Sequence, residues 1–166
     1  MELKSEQPKA VDIMVQDVVT ATPEMDLEQC TRLLLEHGVS NAPVITSQPS
    51  SRELVGFISE RDCLEFFSNE LFYGNPDANV GSMMKRHPVC VSPDTDIFTL
   101  ASIFIQHGYR HVPVVEGSEL VGIISRRDVL RGLSRYRGEC SKEEAALRWP
   151  PDLSQLANLR FIGKVR

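Results

Sequence analysis

Two aspartates at matching points of an internal repeat are the residues of this chain best suited to bind a ligand. Asp62 and Asp128 each follow a β-rich run and stand three residues after a serine, Ser59 and Ser125. An ionised carboxylate in the first turn of a helix can accept the two hydroxyl donors of a ribose, while the serine and the unpaired helix amides can hold a phosphate. The spacing therefore predicts a sugar-phosphate site in each copy.

The same Ser-x-x-Asp spacing is also that of a capping box, in which the serine bonds the amide ahead and the acid bonds back to the helix start. That role is structural and needs no ligand. Three residues of the second copy favour a ligand, because Arg110, His111 and Arg127 can pair with a phosphate by charge-assisted hydrogen bonds. The same three side chains could instead form a solvated surface.

The aspartates belong to a unit that occurs twice. The run Glu53–Asp62 (ELVGFISERD) returns as Glu119–Asp128 (ELVGIISRRD), and the stretch that begins at His37 returns at His107. The period of about 66 to 70 residues is too long for a solenoid and suits a half-domain that must pair to bury its core.

Each copy predicts the order strand, helix, strand, strand, helix, which is an α/β (α+β) fold. Asp26 offers an N-cap to the first helix, and Gly38 ends it. Further helices are predicted around Ile97 and after Ser59 and Ser125. The predicted strands are Val18–Ala21, Ala42–Ile45 and Leu54–Ile58 in the first copy and Val89–Val91, Val112–Val115 and Leu120–Ile124 in the second.

Composition narrows the class of protein. A content of 42% hydrophobic and 25% charged residues is ordinary for a globular domain, and a net charge of −5 argues against a nucleic-acid partner. No apolar run reaches the length of a membrane span, and the polar start Met1–Lys9 is unlike a signal peptide, so we expect a cytoplasmic protein with no membrane partner. The scattered cysteines predict neither a metal site nor a disulfide framework, and Cys30 and Cys63 are interpreted as small hydrophobic residues.

Catalysis is not expected. No Ser/His/Asp or Cys/His set can be assembled, and the chain has neither a P-loop nor a G-x-G-x-x-G fingerprint. His37 and His107 each precede a helix-ending glycine, where an imidazole favours the negative helix terminus. We therefore predict no catalytic residue.

The chain resembles the cystathionine-β-synthase (CBS) domain family, in which two motifs pair as a Bateman module. The resemblance covers about residues 8–135 and rests on the G-h-h-S-x-x-D runs Gly56–Asp62 and Gly122–Asp128 and the h-P-V strands at Ala42–Val44 and Val112–Val114. It implies tandem CBS repeats, each β-α-β-β-α, paired through their small sheets with pseudo-two-fold symmetry. The implied division is 1–10, N-terminal segment; 11–72, first motif; 73–79, linker; 80–135, second motif; and 136–166, C-terminal tail.

The resemblance also implies nucleotide sites that draw on both halves. The Asp128 site would use Ser125, Arg127, Arg110 and His111 with Val39 and the stretch near Ile13-Met14, and the Asp62 site would use Ser59, Arg61, Ser40 and Asn41 with Tyr109 and Met83-Met84. Ser40-Asn41 stands where the second copy has Arg110-His111, so the Asp62 site has less positive charge for a phosphate. Three alternatives follow for that site: weaker binding, no ligand, or a different ligand. The resemblance implies an adenosine ligand, which is AMP, ADP, ATP, NAD or S-adenosylmethionine, and no obligatory cofactor. The arginines favour a phosphorylated ligand over S-adenosylmethionine, whose sulfonium is positive and which has no phosphate.

These features together predict a regulatory homodimer. Its helices after Ser59 and Ser125 would form the dimer surface, and it would signal energy or cofactor status to a separate regulated protein. The alternative is a ligand-free dimeric scaffold that acts through its tail, where 141–148 and the stretch after Asp152 predict short helices. A third hypothesis is a weak nucleotide-processing activity.

Overall fold

A computed structural model gives the fold and describes residues 7–73, 78–139 and 160–161. The helices are α1 (Ala10–Ile13), α2 (Leu27–His37), α3 (Glu60–Tyr73), α4 (Val80–Met83), α5 (Ile97–His107) and α6 (Arg126–Glu139). The strands are β1 (Asn41–Ile45), β2 (Leu54–Ser59), β3 (Lys85–Arg86), β4 (Val89–Cys90), β5 (His111–Glu116), β6 (Glu119–Ser125) and β7 (Arg160–Phe161). The predicted mixture of helices with small antiparallel sheets is confirmed. The tail helices predicted at 141–148 and after Asp152 lie outside the described residues.

The described residues divide into two compact units. The first-repeat unit contains residues 17–73, 78–88 and 117–120 with Phe161, and the second-repeat unit contains residues 7–16, 89–116 and 121–139 with Arg160. The segment that leads into the first repeat, residues 8–16, thus belongs to the second-repeat unit; we call it the first arm. The second arm, residues 78–88, belongs to the first-repeat unit. The motif boundaries 11–72 and 80–135 stay predictions.

Each arm adds a short helix to the core of its unit. Ala10 of α1 is fully buried in a cluster that includes Ile97 and Leu100 of α5. Val80 of α4 is fully buried in a cluster that includes Leu27 of α2. The sequence prediction omitted both short helices, because four residues are too few to show a helical period.

The long helices begin and end where capping chemistry predicts. Asp26 accepts a hydrogen bond from the Gln29 amide at 2.7 Å, and Asp96 accepts from the amides of Phe98 and Thr99 at 2.9 and 3.1 Å. Gly38 and Gly108 close α2 and α5 in the left-handed conformation, with φ of 62° and 67°. The predicted N-cap at Asp26 and stop at Gly38 are confirmed.

The two hairpins are antiparallel. β1 pairs with β2 from Asn41↔Ser59 to Ile45↔Leu54, β2 continues onto β3 of the second arm, and β5 pairs with β6. Alternate residues of β2 are buried, as expected of a strand with one face on a core. β4 has β7 as its neighbour.

The predicted strand at Val18–Ala21 is wrong, and Pro43 gives the reason. Ala21 makes a single parallel bridge with Val44, donating to the Pro43 carbonyl and accepting from the Ile45 amide, both at 3.0 Å. The next rung of a parallel ladder would need an amide at Pro43, which proline lacks. Val91 makes the same single bridge with Val114 beside Pro113, directly after β4, so all three residues of the predicted Val89–Val91 strand are paired.

The glycine of each G-h-h-S-x-x-D run is where an arm touches its unit. A Cβ at Gly122 would lie 2.6 Å from Met14 Sδ and 3.1 Å from the Val15 carbonyl oxygen. A Cβ at Gly56 would collide with Met84 and lie 3.2 Å from the Lys85 carbonyl oxygen. A Cβ at either glycine would require the arm backbone to move away by a few tenths of an ångström. Within the described residues, no helix combines the length and apolar character needed to cross a membrane.

We predict that Gly122→Ala lowers the free energy of unfolding by about 1–3 kcal/mol, because the Val15 carbonyl is backbone and cannot swing aside as Met14 can. Urea denaturation followed by circular dichroism measures the change. Gly138→Ala is the matched control, since a Cβ there meets nothing within 4 Å and alanine favours a helix. Equal stabilities for the two variants would contradict the close approach.

Candidate functional site

The Asp128 carboxylate is held at the start of α6 by the serine three residues earlier. Its Oδ2 accepts from the Ser125 amide at 2.8 Å and from Ser125 Oγ at 2.5 Å, and the Asp128 amide donates back to Ser125 Oγ at 3.3 Å. This is a capping box, so the structural interpretation of the spacing is realised. It leaves Oδ1 outside the cap, 3.7 Å from a guanidinium nitrogen of Arg131, with the side chain 14% exposed.

Asp62 repeats the arrangement at the start of α3. Its Oδ2 accepts from the Ser59 amide at 2.8 Å and from Ser59 Oγ at 2.6 Å, and the residue is 8% exposed. Both sequence-predicted Ser-Asp pairs are therefore brought together. Because each carboxylate is fixed by its cap, a ligand that meets it would find a charge already in place rather than one that must be ordered.

The connection between α5 and β5 lies beside the Asp128 cap. The Arg126 amide donates to the Arg110 carbonyl at 3.4 Å, which joins the start of α6 to this connection. Burial lowers the pKa of the His111 imidazole most. The negative charge of Asp128 raises this pKa and the positive charge of Arg110 lowers it, so the three side chains share one environment. Tyr109 is half-buried and stacks on His107 with ring centroids 5.7 Å apart.

Arg126 is the residue that sequence reasoning missed. Its guanidinium donates to the Gly108 and Tyr109 carbonyls, each at 2.6 Å, and so satisfies the two carbonyls that directly follow α5. The signal was present, because the first copy has Glu60 at this position and a carboxylate cannot donate to a carbonyl. Comparison of the two copies by charge would have found it.

The equivalent connection of the first-repeat unit is neutral. Asn41 Nδ2 donates to Ser40 Oγ at 3.2 Å, and the Ser40 carbonyl accepts from the Glu60 amide at 2.9 Å. The backbone is thus the same as around Asp128, while the two basic residues of the second copy are replaced by a serine and an asparagine. The predicted difference in charge between the two sites is placed directly beside the carboxylates.

Two predicted arginines lie next to the aspartates in sequence but do not bond to them in the described part of the chain. Arg61 and Arg127 are exposed in the first turns of α3 and α6, and no hydrogen bond or ion pair among the described residues joins either to its aspartate. Val39 is half-buried on the α2–β1 connection of the first-repeat unit. The ligand roles of Arg61, Arg127, Val39 and Tyr109 stay predictions.

The two helix cysteines are buried, as their interpretation as small hydrophobic residues requires. Cys30 on α2 and Cys63 on α3 are 0% and 3% exposed. The hydrogen bond to Cys63, together with burial, raises the pKa of the Cys30 thiol, so Cys30 is neutral at pH 7.

Comparison with known proteins identifies the kind of repeat. A family model for the CBS domain matches residues 10–69 and 80–135. An inosine-5′-monophosphate dehydrogenase of Korarchaeum cryptofilum is 32% identical over 122 residues, which are 73% of this chain and 23% of the dehydrogenase. An uncharacterized 17.7 kDa protein of Acidianus ambivalens is 29% identical over 75% of this chain and 73% of its own length. This chain thus spans less than a quarter of the dehydrogenase.

A solved structure is similar over nearly its whole length. The crystal structure of CBSX2 in complex with AMP, a CBS-pair protein of Arabidopsis thaliana, has a TM-score of 0.66 and 28% identity, covering 78% of this chain and 98% of that one. That protein consists of a CBS pair, as the described part of this chain does.

The pH dependence of stability reports the environment of His111. Burial lowers the pKa of this imidazole most, Asp128 raises it, and Arg110 lowers it further. As the pH falls from 7.5 to 5.5, the unfolded chain takes up a proton at this imidazole near the ordinary pKa of about 6.5, whereas the folded chain takes it up only at lower pH. We therefore expect His111 to contribute a loss of stability over this range.

His111→Asn, which installs the residue of the first copy, should reduce that loss. Urea denaturation of both proteins at pH 7.5 and 5.5 measures it, and most carboxylates stay ionised across this window. An identical pH dependence in the variant would contradict a lowered His111 pKa.

Proposed function

The chain belongs to the CBS domain family, and on that premise we propose that it is a regulatory module that binds a phosphorylated adenosine nucleotide at the Asp128 site. The nucleotide is AMP, ADP, ATP or NAD. The AMP complex of the similar protein CBSX2 supports an adenosine ligand.

The observation that carries this proposal is the concentration of positive charge beside a capped carboxylate. Arg110 is exposed where the chain turns into β5, and the adjacent α6 begins with Arg126-Arg127. Ser40 and Glu60 stand at the equivalent points of the first copy. A phosphate is therefore favoured at the Asp128 site, and S-adenosylmethionine, which is positive and carries no phosphate, is disfavoured.

Each residue has a distinct role in this proposal. Asp128 Oδ1 accepts the ribose hydroxyls while Oδ2 stays in the cap, so binding does not cost the helix its N-terminal bonds. Arg110 and Arg127 pair with the phosphate, and the Ser125 side chain positions the carboxylate. His111, kept neutral by burial, offers a ring nitrogen as a hydrogen-bond partner and adds no further charge. Val39 supplies an apolar contact to the base at this site, and Tyr109 has that role at the Asp62 site.

The Asp62 site, with Ser59 and Arg61, keeps the carboxylate and loses most of the positive charge. Its sugar-binding half is equivalent, so it would take a less charged adenosine ligand or bind a nucleotide more weakly. The module is not catalytic in this proposal and has no obligatory cofactor.

Regulation follows if the ligand binds two states of the module unequally, because a ligand can shift an equilibrium only by its difference in affinity. The module would form a homodimer and pass its state to a separate protein. The competing function is a ligand-free scaffold that acts through residues 136–166. Only α6, to Glu139, and Arg160–Phe161 of this segment lie within the described residues.

Isothermal titration calorimetry with AMP, ATP, NAD and S-adenosylmethionine tests the proposal. We expect saturable binding of at least one phosphorylated ligand, weakened about tenfold or more in Asp128→Asn, since a charge-assisted hydrogen bond contributes roughly 1.5–3 kcal/mol. Asparagine keeps an acceptor for the Ser125 amide, so the cap survives while the carboxylate is lost. Asp62→Asn is the matched control and should affect the phosphorylated ligand less.

Arg110→Ser, which installs the residue of the first copy, separates phosphate from sugar recognition. It should weaken AMP and ATP and leave any binding of S-adenosylmethionine unchanged. Equal losses for all ligands would contradict a phosphate role for Arg110. If none of the four ligands binds the wild-type protein, the scaffold function is favoured instead, and product analysis after long incubation with ATP tests the weak processing activity separately.

A further inference from the structure

Two outer helix faces of this chain expose apolar side chains at equivalent positions. On the first-repeat unit, Leu35 of α2 and Leu64 of α3 are 68% and 67% exposed. On the second-repeat unit, the repeat-equivalent residues Ile105 of α5 and Leu130 of α6 are 79% and 69% exposed. Paired leucines and isoleucines this exposed on neighbouring helices form a patch that favours contact with another surface.

The charges beside these apolar residues are reversed between the two faces. Glu60 lies one turn before Leu64, and Glu65 flanks it; both are exposed, and together with Leu35 and Leu64 they form what we call the acidic face. Arg126 and Arg131 occupy the equivalent positions around Leu130 and are also exposed. With Ile105, Leu130 and the exposed Arg137 two turns further along α6, they form the basic face.

The basic face is concave. Between α5 and α6 it contains a groove of about 440 Å³ whose lining is apolar apart from Arg126. The lining residues are Ala101, Phe104, Ile105, Gly108, Arg126, Val129, Leu130 and Leu133. A groove with an apolar floor and one cation at its edge fits a protruding aliphatic side chain that has a carboxylate nearby.

The acidic face presents that chemistry. Leu64 is exposed on α3, one turn after Glu60. Phe66 and Phe67, in edge contact with ring centroids 5.3 Å apart, pack against the core of the same unit. If two basic faces met, Arg126, Arg131 and Arg137 of one copy would repel the same residues of the other. Such contacts between like charges lower affinity.

We propose that the occupant of each basic face is the acidic face of a second copy of this chain. α3 of one copy packs against α6 of its partner, and the two-fold symmetry of a closed dimer makes this contact twice. The pairing of unlike repeats goes beyond the homodimer expected above, because it specifies which faces meet. It does not depend on nucleotide binding.

Analytical ultracentrifugation of charge-reversal variants tests the pairing. Glu60→Arg with Glu65→Arg installs basic residues on the acidic face, and the dimer dissociation constant should rise about tenfold or more, because several ion pairs across the interface become repulsions. Adding Arg131→Glu and Arg137→Glu to the same chain reverses the other face as well and should restore the wild-type dissociation constant. Thermal melts of each variant confirm that it is folded.

Pairing of like repeats gives the opposite results. The variant with both glutamates reversed would then replace repulsion between acidic faces by repulsion between basic ones, and its dissociation constant would stay unchanged. The variant with all four charges reversed would form mixed dimers with the wild-type chain. Raising the salt concentration weakens a dimer of unlike faces and strengthens one of like faces. Either like-face result would overturn the proposal. A wild-type chain that stays monomeric at high concentration would overturn it as well.

Discussion

The contact between each arm and the glycine of a G-h-h-S-x-x-D run is the constraint on which the rest of the structure depends. Met14 and Val15 approach Gly122, and Met84 and Lys85 approach Gly56, at distances that leave no room for a Cβ. This approach allows Val15 to exchange two backbone hydrogen bonds of 2.9 Å with Ile123, a β6 residue shortly before the start of α6. The arm therefore fixes the strand, and the strand end fixes where the helix starts.

The start of that helix is where structure and proposed function use the same side chain. Asp128 satisfies orphan donors at the N-terminus of α6 through Oδ2, which is a role that any capping box needs. The carboxylate has two oxygens, and the hydrogen bonds that hold Oδ2 in the cap also fix the position of Oδ1. A ligand that binds Oδ1 would therefore meet an acceptor whose position is already determined, and little side-chain entropy would be lost on binding.

The repeats have kept the same backbone and diverged in charge. Around the caps, Arg110 and His111 replace Ser40 and Asn41, and on the outer helices Arg126 and Arg131 replace Glu60 and Glu65. The first difference favours a phosphate at one of two equivalent carboxylates, and the second favours contact between unlike faces. Neither change alters a core position, so both could arise without loss of the fold.

Much of this was readable from the sequence. Local rules identified the N-cap at Asp26, the stop at Gly38, the hairpins and the Ser-Asp pairs, because each depends on neighbours within a few residues. What only the tertiary structure decided is long-range. It placed α1 in the core of Ile97 and α4 in that of Leu27, reduced the predicted strand beside Pro43 to one bridge, and brought Arg126 to the two carbonyls that follow α5. The arms carry no local pattern that indicates their partner, because the partner is chosen by packing between segments distant in the chain rather than by the residues beside them.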